Sequence, residues 1–102
     1  MRYARRVDTN QAEIVQALRQ IGAHVRDTSQ VGDGFPDLVV SWRGVNILVE
    51  IKWLRPTSEG GRHGESEGQR IARETWPGPW IVVTSPMDAV EQLIKAVVME
   101  AM

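Results

Sequence analysis

The spacing of hydrophobic residues predicts three helices. Residues 8–21 carry apolar side chains on one helical face, and Gly22 follows as a C-terminal stop. Residues 66–76 predict a second helix, which ends before a Pro-Gly-Pro turn. Ser85 followed by Pro86 predicts the N-cap and first residue of a third helix with a broad apolar stripe.

Four runs of apolar and β-branched residues between these helices predict strands. They are residues 23–29, 38–42, 46–53 and 80–84, the last of them predicted to be buried. The break at residues 43–45 contains Gly44 and predicts a hairpin between the middle two strands. The resulting order, α-β-β-β-α-β-α, predicts one α/β (α+β) domain over residues 1–102, with a central mixed sheet flanked by helices.

Composition narrows the class of protein. Hydrophobic residues make up 42% and charged residues 25% of the chain, as in ordinary globular domains. The absence of cysteine excludes disulfides and thiolate metal sites. No run reaches membrane-spanning length, and MRYARRVDTN lacks the apolar stretch of a signal peptide, so we expect a cytoplasmic protein that does not bind membranes. A net charge of −1 weighs mildly against a broad nucleic-acid footprint.

Three charged residues lie in the most strand-like part of the chain, FPDLVVSWRGVNILVEIK. Alternation along a strand places Glu50 and Lys52 on one face. An even hairpin loop would bring Asp37 to that face, whereas an odd loop without a bulge would separate the acids. With Gly44-Val45 as the loop, Asp37 would face Lys52 and lie diagonal to Glu50.

Two converging carboxylates predict a cation site. Half-buried acids repel each other, and one takes up a proton unless a cation neutralises the pair. Oxygen ligands of this kind suit Mg²⁺ or Mn²⁺, which retain several water ligands and often coordinate phosphate oxygens. A water deprotonated there, close to Lys52, would be a nucleophile for a phosphodiester.

Pro36-Asp37, twelve intervening residues and then Glu50-Ile51-Lys52 resemble the signature of the PD-(D/E)xK nuclease superfamily. The element order is similar to its restriction-endonuclease-like core. Within the superfamily the chain looks like the small stand-alone VRR-NUC type nucleases, relatives of Holliday-junction resolvases. The similarity includes the segments NQAEIVQALRQIGAHV, GDGFPDLVV, ILVEIK and WPGPWIVV.

The resemblance implies a role for each motif residue. Asp37 and Glu50 would bind the metal together with the main-chain carbonyl of Ile51, and Lys52 would orient or activate the attacking water. The implied activity is divalent-metal-dependent DNA hydrolysis, with branched or Holliday-junction DNA as the substrate. The implied cellular setting is the cytoplasm of a bacterium or of a phage-infected host.

Further residues enter through the same resemblance. Glu13 matches an acid that many members place beside the metal, Gln69 matches a glutamine near the site, and Ser29 matches a serine that contacts the scissile phosphate. Family members often carry Leu-Thr before the Gln-containing helix, where this chain has GESEGQ. This difference leaves the start of that helix, and the aim of Gln69, as an open question.

Four arginines follow the motif closely enough to line the mouth of the site and contact DNA. They are Arg55, Arg62, Arg70 and Arg73. The four tryptophans are interpreted as core or interface residues instead of base-stacking platforms. An enzyme that cuts junctions needs two symmetric cuts, so we expect a homodimer. The apolar stripe of the last helix, extended by Met99 and Met102, supports this expectation, because a small monomer would leave it exposed.

Non-catalytic interpretations remain open. Asp37 could hydrogen-bond the backbone of its own turn, and Glu50 with Lys52 could be an ion pair at a sheet edge. Glu13 could close a capping box with Asn10 as N-cap. The alternatives to a junction nuclease are therefore a non-catalytic nucleic-acid-binding or assembly module of the same fold, and a restriction-type nuclease.

Overall fold

The computed structural model describes residues 2–52 and 66–102. The elements are α1 (Arg2–Gln20), β1 (His24–Asp27), β2 (Leu38–Trp42), β3 (Val45–Ile51), α2 (Glu67–Thr75), β4 (Trp80–Val83) and α3 (Pro86–Ala101). The predicted order, α-β-β-β-α-β-α, is confirmed. Residues 53–65, which include the predicted end of the third strand at Trp53, lie outside the described residues.

The four strands form one mixed sheet in the order β1-β2-β3-β4. β1 pairs with β2 and β2 with β3 in antiparallel orientation, whereas β3 and β4 are parallel. The parallel pair requires a crossover between β3 and β4, and α2 lies in that connection. The predicted mixed sheet flanked by helices is therefore confirmed.

The β2–β3 hairpin turns on two residues with positive φ. Trp42 pairs with Val45, which leaves Arg43 at φ 52° and Gly44 at φ 81° as the loop. Two left-handed residues match the right-handed twist of the flanking strands, and glycine adopts this conformation without steric cost. The loop has an even length, which is the case that places Asp37 and Glu50 on one face, but it lies one residue earlier than the Gly44-Val45 loop considered above.

One face of the sheet packs against α1 and α3 and forms the core. Leu38 and Val40 of β2 alternate with half-buried residues, and both are fully buried together with their β3 partners. The core side chains from the helices are Ile14, Leu18, Ala89 and Leu93. Because strand side chains alternate between faces, residues 37, 48 and 50 belong to the opposite face, where the predicted chemistry lies.

The start of α1 and the burial of β4 differ from the sequence prediction, whereas the start of α3 agrees with it. α1 begins at Arg2 instead of residue 8, so Asn10 lies inside the helix and the proposed capping box with Glu13 is wrong. β4 lies at an edge of the sheet, and within it only Val83 is buried, so the prediction of a buried strand is wrong for most of its residues. α3 begins as predicted, with Ser85 as its N-cap.

Across residues 2–52 and 66–102, none of the helices combines the length and the apolar character needed to cross a membrane. α1 is the longest, at 19 residues, and its charged and amide residues rule out a continuous apolar surface.

Candidate active site

Asp37 and Glu50 lie opposite each other at the open end of the β2–β3 hairpin. The strand register sets Leu38 against Val49, so one further step along both strands brings Asp37 opposite Glu50. Leu38 and Val49 point into the core, and both acids therefore point to the other face. The predicted shared face is confirmed, but Asp37 faces Glu50 and not Lys52, because the turn lies one residue earlier than predicted.

The bend before β2 holds Asp37 in place. Its main-chain carbonyl accepts a hydrogen bond of 2.8 Å from the N–H of Thr28, and the Thr28 hydroxyl donates to the carbonyl of Pro36 at 2.9 Å. The carboxylate Oδ2 accepts from the main-chain N–H of Ile51 at 2.7 Å. This bond reaches the neighbouring strand, so the alternative of a hydrogen bond within the local turn is wrong.

The surroundings of Asp37 disfavour its charged form. Burial is the largest effect, and it raises the pKa of Asp37 above its ordinary value of 3.8. The Ile51 N–H and the positive charge of Lys52 act in the opposite direction, and the charge of Asp27 adds to the increase in this pKa. A cation beside Asp37 would therefore relieve a cost that the fold imposes on this carboxylate.

Glu50 is fully buried, with 0% of its surface exposed. Its Oε1 accepts a hydrogen bond of 3.2 Å from the indole N–H of Trp80, and its Oε2 lies 3.1 Å from Nζ of Lys52. Carboxylates are rarely buried unless they are paired and hydrogen-bonded, and Glu50 has a hydrogen bond at Oε1 and an ion-pair contact at Oε2.

Trp80 is a site residue that the sequence analysis did not identify. Parallel pairing sets Leu48 opposite Trp80, so the indole lies on the face that carries Glu50. Its ring contacts Trp76 edge-on, with centroids 6.1 Å apart. The interpretation of Trp80 as a purely structural tryptophan is therefore incomplete, because its N–H binds a motif carboxylate.

The Lys52 side chain contacts Glu50 and Gln69. Its side chain is only 12% exposed, and Nζ lies 3.1 Å from Oε2 of Glu50 and donates to Oε1 of Gln69 at 2.9 Å. The alternative interpretation, an ion pair between Glu50 and Lys52, is therefore confirmed for the two residues that form the pair. The predicted position at a sheet edge is wrong, because β3, which carries Glu50 and is followed by Lys52, lies between β2 and β4. A buried pair carries a desolvation cost that an exposed pair does not.

Gln69 reaches the site from the first turn of α2. The N-cap of this helix is Ser66, whose Oγ accepts from the N–H of Gln69 at 3.1 Å. Oε1 of Gln69 in turn accepts from the N–H of Ser66 at 3.2 Å, which completes a capping box. The start of the helix, left open by the sequence GESEGQ, is therefore fixed at Ser66, and Gln69 is directed towards Lys52.

A close backbone approach presses the bend before Asp37 against α2. Gly34 has φ 77°, and a Cβ on it would lie 2.8 Å from the carbonyl oxygen of Gly68. Only glycine allows both this conformation and this contact. The two segments that carry Asp37 and Gln69 therefore meet at Gly34 and Gly68.

Glu13 and Ser29 make no hydrogen bond to Asp37, Glu50 or Lys52 among the described residues. Glu13 is exposed on α1, and the side chains of residues 10–52 and 66–102 contain no group of three acids or histidines that could share a metal. Ser29 donates through its hydroxyl to Oδ1 of Asp27 at 2.6 Å and through its N–H at 2.9 Å. These bonds lower the pKa of Asp27. The predicted roles of Glu13 and Ser29 stay predictions.

The predicted DNA-contacting arginines divide into two groups. Arg70 and Arg73 lie on α2, which begins at the site, and Arg70 pairs with Glu74 at 3.1 Å. Arg55 and Arg62 lie outside the described residues. An open groove of about 740 Å³ lies between α1 and β1, and Asp27 and Ser29 are among the residues that line it.

The donor set around Asp37 fits a hard divalent cation. Asp37 and Glu50 supply two carboxylates from adjacent strands, and the bond from Ile51 to Asp37 shows that the β3 main chain lies within reach of the same carboxylate. Mg²⁺ characteristically uses one or two carboxylates and fills its remaining positions with water and phosphate oxygens. The residues present therefore fit Mg²⁺ or Mn²⁺ with two protein carboxylates as anchors.

Comparison of the chain with protein-family models, with curated proteins and with solved structures found no match. What can be inferred about function therefore comes from the arrangement of Asp37, Glu50 and Lys52 and from their surroundings.

Proposed function

We propose that this protein is a divalent-metal-dependent DNA endonuclease of the PD-(D/E)xK type. One observation carries the proposal. Asp37, Glu50 and Lys52 lie together on the sheet face opposite the core, with a buried carboxylate and a nearly buried amine 3.1 Å apart. Burying these groups is costly for a small domain, and the superfamily that the sequence resembles uses the same three residues for catalysis.

Asp37 and Glu50 are the residues that would hold Mg²⁺ or Mn²⁺, with the carbonyl of Ile51 as a further ligand. When bound, the ion supplies positive charge to the phosphate and lowers the pKa of a bound water. The carboxylates contribute their fixed positions on neighbouring strands. The N–H groups of Ile51 and Trp80 orient one oxygen of each acid.

Lys52 is proposed to orient the attacking water or a phosphate oxygen. An ammonium group has three donors. Gln69 accepts from Nζ at 2.9 Å, and Oε2 of Glu50 lies 3.1 Å from Nζ in an ion pair, so the ammonium group keeps donor capacity for a substrate atom. Because Glu50 and Gln69 hold Nζ from β3 and α2, the remaining donors point in a limited range of directions.

The proposed substrate is branched or junction DNA, and the proposed assembly is a homodimer. Arg70 and Arg73 on α2 support contact with phosphates near the site. The exposed apolar side chains of α3 support the dimer, because Ile94, Val98 and Met99 are 42%, 54% and 72% exposed. Two symmetric active sites would cut both strands of a junction.

A non-catalytic module of the same fold is the second candidate. The observation that favours it is the pairing within the site, where Lys52 contacts Glu50 and the Ile51 N–H contacts Asp37. These contacts satisfy the charges in part without any ligand. In this case the protein binds nucleic acid or a partner chain and cleaves nothing.

A cleavage panel separates the two candidates. Labelled four-way junctions, flaps, splayed arms and linear duplexes are incubated with the protein in Mg²⁺, in Mn²⁺ and in a chelator. The nuclease predicts metal-dependent cleavage of at least one branched substrate and its loss in Lys52→Met, with DNA binding retained. Binding without cleavage of any substrate in either metal would favour the non-catalytic module.

A further inference from the structure

The amide oxygen of Gln69 has two donors that belong to different parts of the fold. Oε1 accepts from Nζ of Lys52 at 2.9 Å and from the main-chain N–H of Ser66 at 3.2 Å. A carbonyl oxygen has two lone pairs, so both bonds can exist at once. The side chain that reaches Lys52 is therefore the same side chain that closes the capping box of α2.

The cap determines where Gln69 can place that oxygen. Oγ of Ser66 accepts from the N–H of Gln69 at 3.1 Å, which fixes the main chain of the residue whose side chain returns to Ser66. With its main chain and its Oε1 both held, Gln69 has little rotamer freedom left. Loss of the serine hydroxyl removes the first of these two restraints.

α2 depends on this cap more than α3 depends on its own. Within α2 no residue is buried, whereas α3 buries Ala89 and Leu93 in the core. A short helix without a buried face gains little from tertiary packing, so local contacts at its start decide whether the first turn forms. The close approach of Gly34 to Gly68 adds a second restraint on that turn.

We propose that Ser66 is a positioning residue for Lys52 and acts through Gln69. The inference rests on the proposed nuclease function for its kinetic consequence, although the structural link can be tested without it. Within the described residues, the hydrogen bonds of Ser66 go to Gln69 and Arg70 and not to Asp37, Glu50 or Lys52. Its hydroxyl sets the first turn of α2, the turn sets Gln69, and Gln69 directs the amine of Lys52.

Ser85 provides a matched control in the same chain. Its Oγ caps α3 through the N–H of Asp88 at 3.0 Å, as Ser66 caps α2. Ser66→Ala is expected to lower kcat about fivefold at unchanged KM for DNA, because a lost cap of ordinary strength leaves the turn partly unformed. Ser66→Thr is expected to restore kcat to within about twofold, since threonine also caps helices. Ser85→Ala lowers Tm and leaves kcat unchanged below the transition.

A kcat for Ser66→Ala equal to the wild-type value would overturn the proposal. Equal losses of kcat in Ser66→Ala and Ser85→Ala would also overturn it, because they would indicate a general loss of folded protein.

A second readout does not need cleavage. The NMR signals of the Lys52 εCH₂ group in the metal-free protein are expected to shift in Ser66→Ala, to return in Ser66→Thr and to stay unchanged in Ser85→Ala. If the wild type cleaves no DNA, the proposed function fails while this NMR pattern still supports the link from Ser66 to Lys52. Identical Lys52 signals in the wild type and Ser66→Ala would contradict the link, whether or not the protein is a nuclease.

Discussion

The carboxylate of Asp37 accepts a hydrogen bond of 2.7 Å from the main-chain N–H of Ile51. This bond joins the bend before β2 to the end of β3, where Glu50 and Lys52 lie on either side of Ile51. The bond opposes the effect of burial on Asp37 without cancelling it, because the pKa of this carboxyl is still raised. Asp37 is thus held at the site in a state that a cation would stabilise.

Replacing Asp37 with asparagine should separate stability from catalysis. The amide oxygen of Asn can still accept from the Ile51 N–H, and the uncharged side chain avoids the cost of burying a carboxylate. Asp37→Asn is expected to unfold at the same or higher urea concentration than the wild type and to lose cleavage by about a hundredfold or more. Asp33→Asn is the control, because Asp33 is exposed in the same bend and should leave both properties unchanged.

The pH dependence of stability follows from the raised pKa of Asp37. The unfolded chain ionises near 3.8, whereas the folded protein ionises at higher pH, so the ionised carboxylate costs stability at neutral pH. This cost disappears as the pH falls through the folded pKa towards 3.8. The difference in unfolding free energy between Asp37→Asn and the wild type should therefore favour the variant most at pH 7 and shrink as the pH falls towards 3.8. A difference that is constant with pH would contradict the raised pKa.

Lys52→Met should destabilise the protein, because it removes the ammonium group that lies 3.1 Å from the fully buried Glu50. Removal of one member of a buried pair costs about 3–5 kcal/mol. The double variant Glu50→Gln with Lys52→Met should recover most of this loss, since neither member of the buried pair is then charged. Urea unfolding of the two single variants and the double variant measures the coupling. A coupling near zero would indicate a solvated pair.

Trp80→Phe should weaken metal-dependent activity more than it weakens the fold. Phenylalanine keeps an aromatic ring but removes the N–H that donates to Glu50 at 3.2 Å. Loss of a hydrogen bond to a metal-binding carboxylate typically costs about 10–100-fold in metal affinity or activity. The Mg²⁺ and Mn²⁺ concentrations for half-maximal cleavage measure this effect. Trp76→Phe is the control, because Trp76 is 44% exposed and contacts Trp80 instead of Glu50.

The sequence predicts the element order, and it makes the shared face of the acids depend on whether the hairpin loop has an even or an odd number of residues. Periodicity identifies helices and strands, and any even hairpin loop places Asp37 and Glu50 on one face. The turn itself was misplaced, because Arg43 adopts a positive φ that sequence rules reserve for Gly and Asn. This single step decides whether Asp37 faces Glu50 or Lys52.

The contacts between residues that are distant in the chain could not be predicted from the sequence. The donation from Trp80 to Glu50 depends on the register of β3 with β4, and no local pattern fixes the register of a parallel pair across an intervening helix. The capping box of α2 is visible in the spacing of Ser66 and Gln69, but its link to Lys52 requires the folded sheet. The early start of α1 also escaped prediction, since residues 2–7 show no apolar period.

Calorimetric titration of Mn²⁺ into the metal-free protein tests most directly whether Asp37 and Glu50 form one cation site. The wild type at pH 7 is expected to bind one ion per chain, and Asp37→Asn and Glu50→Gln are each expected to lose that binding while remaining folded. A wild type that takes up no ion, or two variants that bind Mn²⁺ as the wild type does, would contradict the proposed metal-dependent nuclease.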